Sequence, residues 1–186
     1  MNKHIRLLRA VSFAAEKHKD QRRKDAKDSP YINHVIAVAS ALAEEGKVTD
    51  EELIMAAILH DTVEDTETTC EEIAGQFGNK VASIVCEITD EMKLPKEVRK
   101  RLQEVNSPRW TPEAKQLRIA DKICNVRDIA HNPPANWPLE RKREYLLWTI
   151  RVVAGCRGVN TLLEKSFDDA ITSAATQLEV PLDERQ

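Results

Sequence analysis

The chain has 186 residues, of which 41% are hydrophobic and 32% are charged, and its formal net charge is −3. This length supports one domain with a substantial core, taken here as residues 1–186, and the negative charge gives no electrostatic support for extended nucleic-acid binding. Only five glycines and eight prolines occur, which argues against a turn-rich all-β protein.

Apolar residues recur at helical spacing through the first half of the chain. One amphipathic helix is predicted around residues 5–15 and another around residues 35–42. Side chains that favour helix ends then divide the sequence into further segments. In chain order these signals are a stop at Gly46, a cap at Asp50, a capping box at Thr69 and Glu72, a stop near Gly78 and a cap at Asn79.

The second half continues the helical pattern after a polar stretch at residues 89–98. Thr111-Pro112-Glu113 predicts a strong helix start, with threonine as cap and proline at the first helical position. The remaining predicted helices cover about residues 98–106, 112–131, 139–154 and 160–178. Strand signals are essentially absent, so we predict an all-α domain, a helical bundle of roughly eight to ten helices.

Four cysteines stand at wide spacings without a CxxC pair, which argues against a zinc ribbon or finger. No apolar run has the length of a signal-peptide core or of a membrane span. We therefore expect a reduced, cytoplasmic protein with free thiols and no membrane partner. The cysteines are Cys70, Cys86, Cys124 and Cys156.

A charged cluster directly follows the apolar run at residues 56–59. His60 and Asp61 come first, and Glu64 and Asp65 follow four residues later. His60 and Asp61 lie at or near the predicted end of the third helix; if the helix continued, Glu64 would share a face with His60, and Asp65 with Asp61. Unpaired charges in such a place cost on the order of several kcal/mol, and a bound cation is the simplest compensation.

Two further residues sit on apolar helices without an obvious contact to solvent. His34 opens the second helix, and Asp121 lies in the strongest apolar helix of the second half, with Asn125 on the same face. Mixed histidine and carboxylate ligation fits Mn²⁺, Fe²⁺, Zn²⁺ or Mg²⁺. Taken singly, His34 can be a hydrogen-bonded core residue and Asp121 a salt-bridge partner of Arg118 or Arg127. From the residues alone both interpretations stay open.

A basic run, Gln21-Arg22-Arg23-Lys24-Asp25, lies ten residues before His34. Charge runs at helix ends are usually solvated. Beside a metal site, however, arginine and lysine could hold a polyphosphate, because the arginine fork matches phosphate oxygens.

These segments, in this order and spacing, resemble the HD-superfamily hydrolase domain of the RelA/SpoT proteins, over about residues 4–165. The segments that carry the resemblance are Gln21–Lys24, Pro30–His34, Leu59–Asp65 and Ala120–Asn125. Because 186 residues leave no room for a synthetase domain, the chain is similar to stand-alone small alarmone hydrolases, including the metazoan SpoT homologues.

The resemblance implies an all-helical HD fold. It also implies hydrolysis of the 3′-pyrophosphate of ppGpp or pppGpp, giving GDP or GTP and pyrophosphate with one Mn²⁺ ion. The implied metal ligands are His34, His60, Asp61 and Asp121. The implied water-handling pair is Glu64 and Asp65. The implied substrate contacts are Arg23, Lys24, Lys96, Asn125, Arg141 and Tyr145, whereas Tyr31 is expected mainly to pack.

Two other functions compete with this interpretation. Another HD phosphohydrolase, acting on a nucleotide monophosphate, a dNTP or the 2′-phosphate of NADPH, would share the metal ligands. A catalytically silent helical module could bind a nucleotide or a partner protein. Arg23-Lys24 and Glu64-Asp65 favour the alarmone substrate. The expected partner is thus a small molecule, with no nucleic acid and no membrane, and we allow for a homodimer.

Overall fold

A computed structural model of the chain describes residues 3–25, 27–134 and 136–182. The two ends of the predicted domain, residues 1–2 and 183–186, lie outside the described residues. Within the described ranges there are ten α-helices and no extended strand, which confirms the all-α prediction. In chain order they are α1 (Lys3–Lys17), α2 (Ile32–Ser40), α3 (Glu51–Leu59), α4 (Thr62–Asp65), α5 (Cys70–Phe77), α6 (Asn79–Ile88), α7 (Lys96–Asn106), α8 (Pro112–His131), α9 (Leu139–Ala154) and α10 (Thr161–Leu178).

Helix α8 is the centre of the bundle. It contacts α2, α3, α6, α9 and α10, and most of its side chains from Leu117 to Val126 are buried. Helix α3 is almost as deeply buried from Leu53 to Leu59, so it packs on more than one side. The end of α3 and the middle of α8 bring polar side chains into the interior, and that position decides where the site forms.

Short-range capping signals place most helix ends where the sequence predicts them. The Asp50 carboxylate accepts hydrogen bonds from the N–H groups of Glu52 and Leu53 at the start of α3. Thr69 and Thr111 accept from the third residue of α5 and α8 in the same way. These side chains satisfy backbone donors that the helices leave unpaired.

Two local predictions need correction. Asn79 is the first residue of α6 and not its cap, because Gly78, at φ +99°, is the residue before the helix. Helix α7 begins two residues earlier than predicted, at Lys96. The predicted position of His60 and Asp61 at the end of the third helix is confirmed: α3 ends at Leu59, the chain turns, and a single helical turn restarts as α4.

The expectation of four free thiols is wrong for one pair. Cys70 and Cys86 form a disulfide between the start of α5 and the last part of α6. Cys124 and Cys156 are free and buried, and burial raises the pKa of both thiols, to about 12 and about 11. Sequence spacing missed the bridge because the two cysteines are 16 residues apart and meet only when α5 packs on α6.

We predict that replacing both Cys70 and Cys86 by serine lowers the free energy of unfolding by about 3 kcal/mol, since a bridge closing a loop of this size removes entropy from the unfolded chain. Urea unfolding with and without dithiothreitol measures this change. The double-serine protein should be insensitive to the reductant. A wild-type protein that is equally insensitive would contradict the bridge.

No helix among residues 3–25, 27–134 and 136–182 has both the length and the apolar composition needed to cross a membrane.

Candidate active site

A buried cluster of imidazole and carboxylate groups lies where α2, the end of α3 and α8 meet. His34 comes from α2, His60 from the turn after α3, and Asp121 from the middle of α8. One ligand atom from each lies within 4.8 Å of the other two. His34 Nε2 is 3.3 Å from Asp121 Oδ1, and His60 Nε2 is 3.8 Å from the same oxygen. Residues that are up to 87 positions apart in the sequence thus converge on one small volume.

Asp61 completes the group of four predicted ligands. Its Oδ2 lies 3.0 Å from His60 Nε2 and 3.7 Å from His34 Nε2. The same oxygen accepts a hydrogen bond of 2.6 Å from the hydroxyl of Tyr31. Tyr31 does pack against the core, as predicted, but its hydroxyl also holds Asp61 in place.

The hydrogen bonding of His60 shows that this cluster fits a cation. Its Nδ1 lies 2.8 Å from the carbonyl oxygen of Ala57, and a carbonyl can only accept, so Nδ1 carries the hydrogen. Without a second proton, Nε2 presents a lone pair to the oxygens of Asp61 and Asp121, and it has no hydrogen-bond partner. A buried lone pair beside two carboxylates is the donor set of a divalent metal ion, with the second nitrogen fixed by a carbonyl.

The charges of the cluster lead to the same conclusion. Burial opposes the charged form of His60, but Asp61 and Asp121 outweigh it and raise the pKa of His60 to about 9. Burial likewise works against ionised Asp61 and Asp121, yet the neighbouring cationic groups lower the pKa of both carboxyls. The cluster therefore binds positive charge, either as a proton or as a metal ion, and the two compete.

Asp121 is anchored from the side opposite the histidines. Its Oδ2 lies 3.1 Å from Lys122 Nζ and 3.5 Å from Arg118 Nη1, and all three side chains are buried. Its Oδ1 accepts a 2.5 Å hydrogen bond from Asn125. Asp121 is thus both the salt-bridge partner of Arg118 and a member of the cluster, so the two interpretations of the sequence hold together.

Glu64 lies beside the cluster on α4, with its carboxylate partly shielded from solvent. Its Oε2 accepts from the N–H of Asp90 at 3.2 Å, and its Oε1 is 3.8 Å from Arg99 Nη1. Burial, with the added charges of Asp61 and Asp90, raises the pKa of Glu64 to about 7. A carboxylate with this proton affinity can accept a proton near neutral pH.

Asp65 is the more exposed member of the pair. Its Oδ2 accepts a 2.8 Å hydrogen bond from Gln21 Nε2. Burial, with the charge of Asp61, raises the pKa of Asp65. Both carboxylates of α4 therefore hold protons more readily than ordinary surface acids.

The cluster opens into a cleft of about 350 Å³ between the basic run and α8. A backbone bridge between Arg22 and Pro30 folds the basic run back toward α2. Arg23 pairs with Asp128 of α8 and lies over the Tyr31 ring at 5.6 Å. The wall of this cleft includes Arg23, Lys24, Asp61, Glu64, Asp65, Asn125 and Tyr145.

A second cavity of about 510 Å³ adjoins the first and shares Lys24, Trp137 and Tyr145 with it. Lys96 of α7 and Arg141 of α9 line it, and the Arg141 guanidinium lies 4.2 Å from the centre of the Trp137 ring. Burial and the nearby charges of Arg141 and other cations lower the pKa of Lys96. Five basic side chains line the cavity against the acidic Asp90, Glu97 and Glu144, and this excess of positive charge suits an anion.

Comparison with known proteins agrees with this geometry. A family model described as an HD domain matches residues 10–146. The chain is 50% identical over 162 residues to the guanosine-3′,5′-bis(diphosphate) 3′-pyrophosphohydrolase MESH1 of Xenopus tropicalis, covering 87% of this chain and 90% of that protein. It is 47% identical over 161 residues to MESH1 of Homo sapiens, with the same two coverages.

The chain belongs to the HD-domain family, among the MESH1 proteins. A solved structure of a metazoan ortholog of SpoT, described as hydrolysing ppGpp and playing a role in starvation responses, matches it with a TM-score of 0.87 at 42% identity. That match covers 90% of this chain and 94% of the other. The predicted family and the predicted HD fold are both confirmed.

Every predicted site residue of this HD domain lies in the cluster or in the wall of one of the two cavities. The sequence did not reveal several residues that contact these predicted site residues. Lys122 and Asp128 gave no signal beyond their positions on α8, because only packing shows that they contact Asp121 and Arg23. The sequence did offer a signal for Trp137. This aromatic residue follows Pro133-Pro134 and lies four residues before the basic Arg141, on an otherwise polar stretch. Arg127, the alternative partner of Asp121, pairs instead with Glu45.

Proposed function

We propose that this HD-domain protein is a metal-dependent ppGpp 3′-pyrophosphohydrolase that converts ppGpp or pppGpp to GDP or GTP and pyrophosphate. The observation that carries the proposal is the position of the buried histidine–aspartate cluster beside a cleft that also carries Arg23 and Lys24 and adjoins a second cavity lined by Lys96 and Arg141. The MESH1 relatives named for this activity, similar over nearly their whole length, support it.

The cleft beside the cluster and the adjoining second cavity suit the two pyrophosphate groups of the substrate. The alarmone carries a pyrophosphate on each side of one ribose. Its reacting 3′-pyrophosphate would lie by the cluster and Glu64, with Arg23 and Lys24 offsetting its charge. The 5′-diphosphate would reach the second cavity, where Lys96 and Arg141 can hold its oxygens. Tyr145 lines both cavities and Asn125 lines the first beside Asp121, so both can contact the nucleoside.

We propose that one Mn²⁺ ion is held by His34, His60, Asp61 and Asp121. Two imidazoles with two carboxylates suit Mn²⁺ among the divalent ions that accept mixed nitrogen and oxygen ligands. When bound, such an ion supplies Lewis-acid activation of a water and of a phosphoryl oxygen.

Side chains of the protein would then transfer the proton of the attacking water. Water attacks the phosphorus bonded to the ribose 3′-oxygen, a new P–O bond forms, and the bond to the 3′-oxygen breaks. Glu64 or Asp65 accepts the proton of the water as general base. Returning that proton to the departing 3′-oxygen completes the reaction and restores the carboxylate.

The decisive experiment incubates the purified protein with Mn²⁺ and a panel of ppGpp, NADPH and common nucleotides. Pyrophosphate and orthophosphate are quantified separately. Release of pyrophosphate from ppGpp alone is the expected result. Orthophosphate from NADPH or a nucleotide, without pyrophosphate from ppGpp, would replace this proposal with the other HD phosphohydrolase. A protein without metal and without turnover would instead be the silent module.

We predict that Lys96→Ala raises KM for ppGpp about tenfold and changes kcat less, because the loss of one charge-assisted contact to phosphate is on this scale. Steady-state kinetics at low ionic strength measure both parameters. Lys93→Ala, which removes an exposed lysine just before α7, is the matched control and should leave KM unchanged. An equal rise in both variants would assign the effect to overall charge.

We predict that Asp90→Asn moves the acidic limb of the kcat–pH profile to lower pH. The general base must be ionised, so activity rises as pH passes the pKa of Glu64. Burial and Asp61 raise that pKa, and the Asp90 charge adds to them. Removing the Asp90 charge lowers the pKa and extends activity toward acid. Glu91→Gln, an equal loss of charge at the next residue, should leave the limb in place, and a shift shared by both variants would contradict the prediction.

Three further assignments accompany the proposal. We propose that the chain forms a single hydrolase domain, which the continuous core from α1 to α10 supports. A small-molecule partner follows from the proposed substrate, whereas a homodimer and the absence of nucleic-acid and membrane partners stay predictions. A cytoplasmic location also stays a prediction, and the Cys70–Cys86 bridge makes the redox state of the purified protein an informative measurement.

A further inference from the structure

A side-chain amide connects the Asp65 carboxylate to a buried histidine. Gln21 Nε2 donates to Asp65 Oδ2 at 2.8 Å, and Gln21 Oε1 lies 2.6 Å from His18 Nδ1. A carboxylate oxygen accepts, so the amide must present its N–H₂ to Asp65 and its oxygen to His18. His18 Nδ1 therefore carries the hydrogen. Both ends of the Gln21 amide are engaged, and its orientation is fixed.

Burying the His18 imidazole costs folding free energy unless its ring nitrogens form hydrogen bonds. The residue is only 2% exposed, and its second ring nitrogen, Nε2, is buried without a hydrogen-bond partner. Its ring lies against the Tyr31 ring at 5.0 Å, a contact that a phenylalanine could make equally well. A buried nitrogen without a partner destabilises the fold. The hydrogen-bond partner of the imidazole is the Gln21 amide.

The backbone around these residues is also held. The Gln21 N–H donates to the His18 carbonyl at 3.0 Å, and the Tyr31 N–H donates to the Gln21 carbonyl at 3.1 Å. Tyr31 in turn donates through its hydroxyl to Asp61. One packed unit of His18, Gln21 and Tyr31 thus contacts a cluster carboxylate on one side and Asp65 on the other.

We propose that His18 and Gln21 are positioning residues that fix the rotation of the Asp65 carboxylate so that it can handle the attacking water. This inference rests on the proposed hydrolytic function, because Asp65 needs a water to act on. Gln21 acts through Asp65, and His18 acts through Gln21. Neither residue was assigned a role from the sequence, although Gln21 lines the cleft.

The first test replaces Gln21 by methionine, which has a similar shape and no hydrogen bond to offer. The expected result is a fall in kcat of about tenfold, the scale of one hydrogen bond to a charged group, with KM and bound metal unchanged. His18→Phe should also lower kcat, because it removes the Nδ1–H group that holds Gln21. It keeps the ring contact with Tyr31, so the packing is preserved. His18→Asn should restore most of kcat, because its amide N–H₂ can lie where Nδ1 lies. Lys19→Met is the control in the same segment.

A double-mutant cycle separates positioning from a merely structural role. In an Asp65→Asn background, Gln21→Met should cause no further loss of kcat, because Gln21 acts only through that carboxylate. Losses that multiply, or a Gln21→Met protein with wild-type kcat, would overturn the inference. So would a His18→Asn protein as impaired as His18→Phe.

The same cycle distinguishes failure of the inference from failure of the proposed function. It is measured with whichever substrate of the panel the protein hydrolyses, so a wrong substrate assignment leaves the comparison intact. An Asp65→Asn protein with full activity would refute the role of Asp65 itself, and the positioning role would fail with it. An impaired Asp65→Asn protein beside a fully active Gln21→Met protein would refute positioning alone.

Discussion

Replacing Asp121 by asparagine is expected to remove both bound metal and measurable ppGpp hydrolysis. The substitution keeps the shape of the side chain but takes away the charge that faces His34 and His60. Loss of activity to the background level is expected, since even residues that only support metal ligands typically cost 10- to 100-fold when replaced. Elemental analysis of the dialysed protein and a pyrophosphate-release assay measure the two effects.

Asp121→Ala should lose the same functions and also stability. Both substitutions leave the buried Lys122 and Arg118 without their shared carboxylate, and breaking a buried ion pair costs about 3–5 kcal/mol. Asparagine keeps an amide oxygen that can still accept hydrogen bonds from these two cations, whereas alanine leaves them without an acceptor. The asparagine variant is therefore the cleaner probe of metal binding. Glu113→Gln, in the first turn of the same helix, removes an equal charge away from the cluster and should keep both metal and activity. Full metal content in Asp121→Asn would contradict the assigned ligand.

Replacing Glu64 by glutamine is expected to separate chemistry from metal binding. The variant should keep its metal and lower kcat by about 10²-fold or more, the scale of losing a general base. KM should change little, because Glu64 would act on the water and not on the nucleotide. Steady-state kinetics with ppGpp and metal analysis of the same preparation test both parts.

Glu67→Gln is the matched control for this variant. Glu67 is exposed three residues further along the chain, and its replacement should leave kcat unchanged. If Glu64→Gln retained full activity, the assignment of Glu64 as base would be wrong. The same kinetics on Asp65→Asn would then show whether Asp65 accepts the proton.

Local signals in the sequence predicted most of the fold. Caps such as Asp50 and Thr111 act on N–H groups two or three residues away, so their effect is readable without knowing the tertiary structure. Two predicted helix starts differ from the structure. Gly78, with its positive φ, takes the place before α6 that Asn79 was predicted to hold, and α7 begins at Lys96 and not near Val98.

The sequence by itself determined the all-α class, the family and the candidate ligands, because residue type, helical period and motif order are properties of the chain. Only the tertiary structure decided how those residues meet. Packing of α2, α3 and α8 brings His34 and Asp121 within reach of His60, and the Ala57 carbonyl fixes which nitrogen of His60 faces the two carboxylates. The link from His18 to Asp65 and the Cys70–Cys86 bridge are likewise contacts between separate elements. Such contacts depend on how whole helices pack, and no local rule of spacing encodes them.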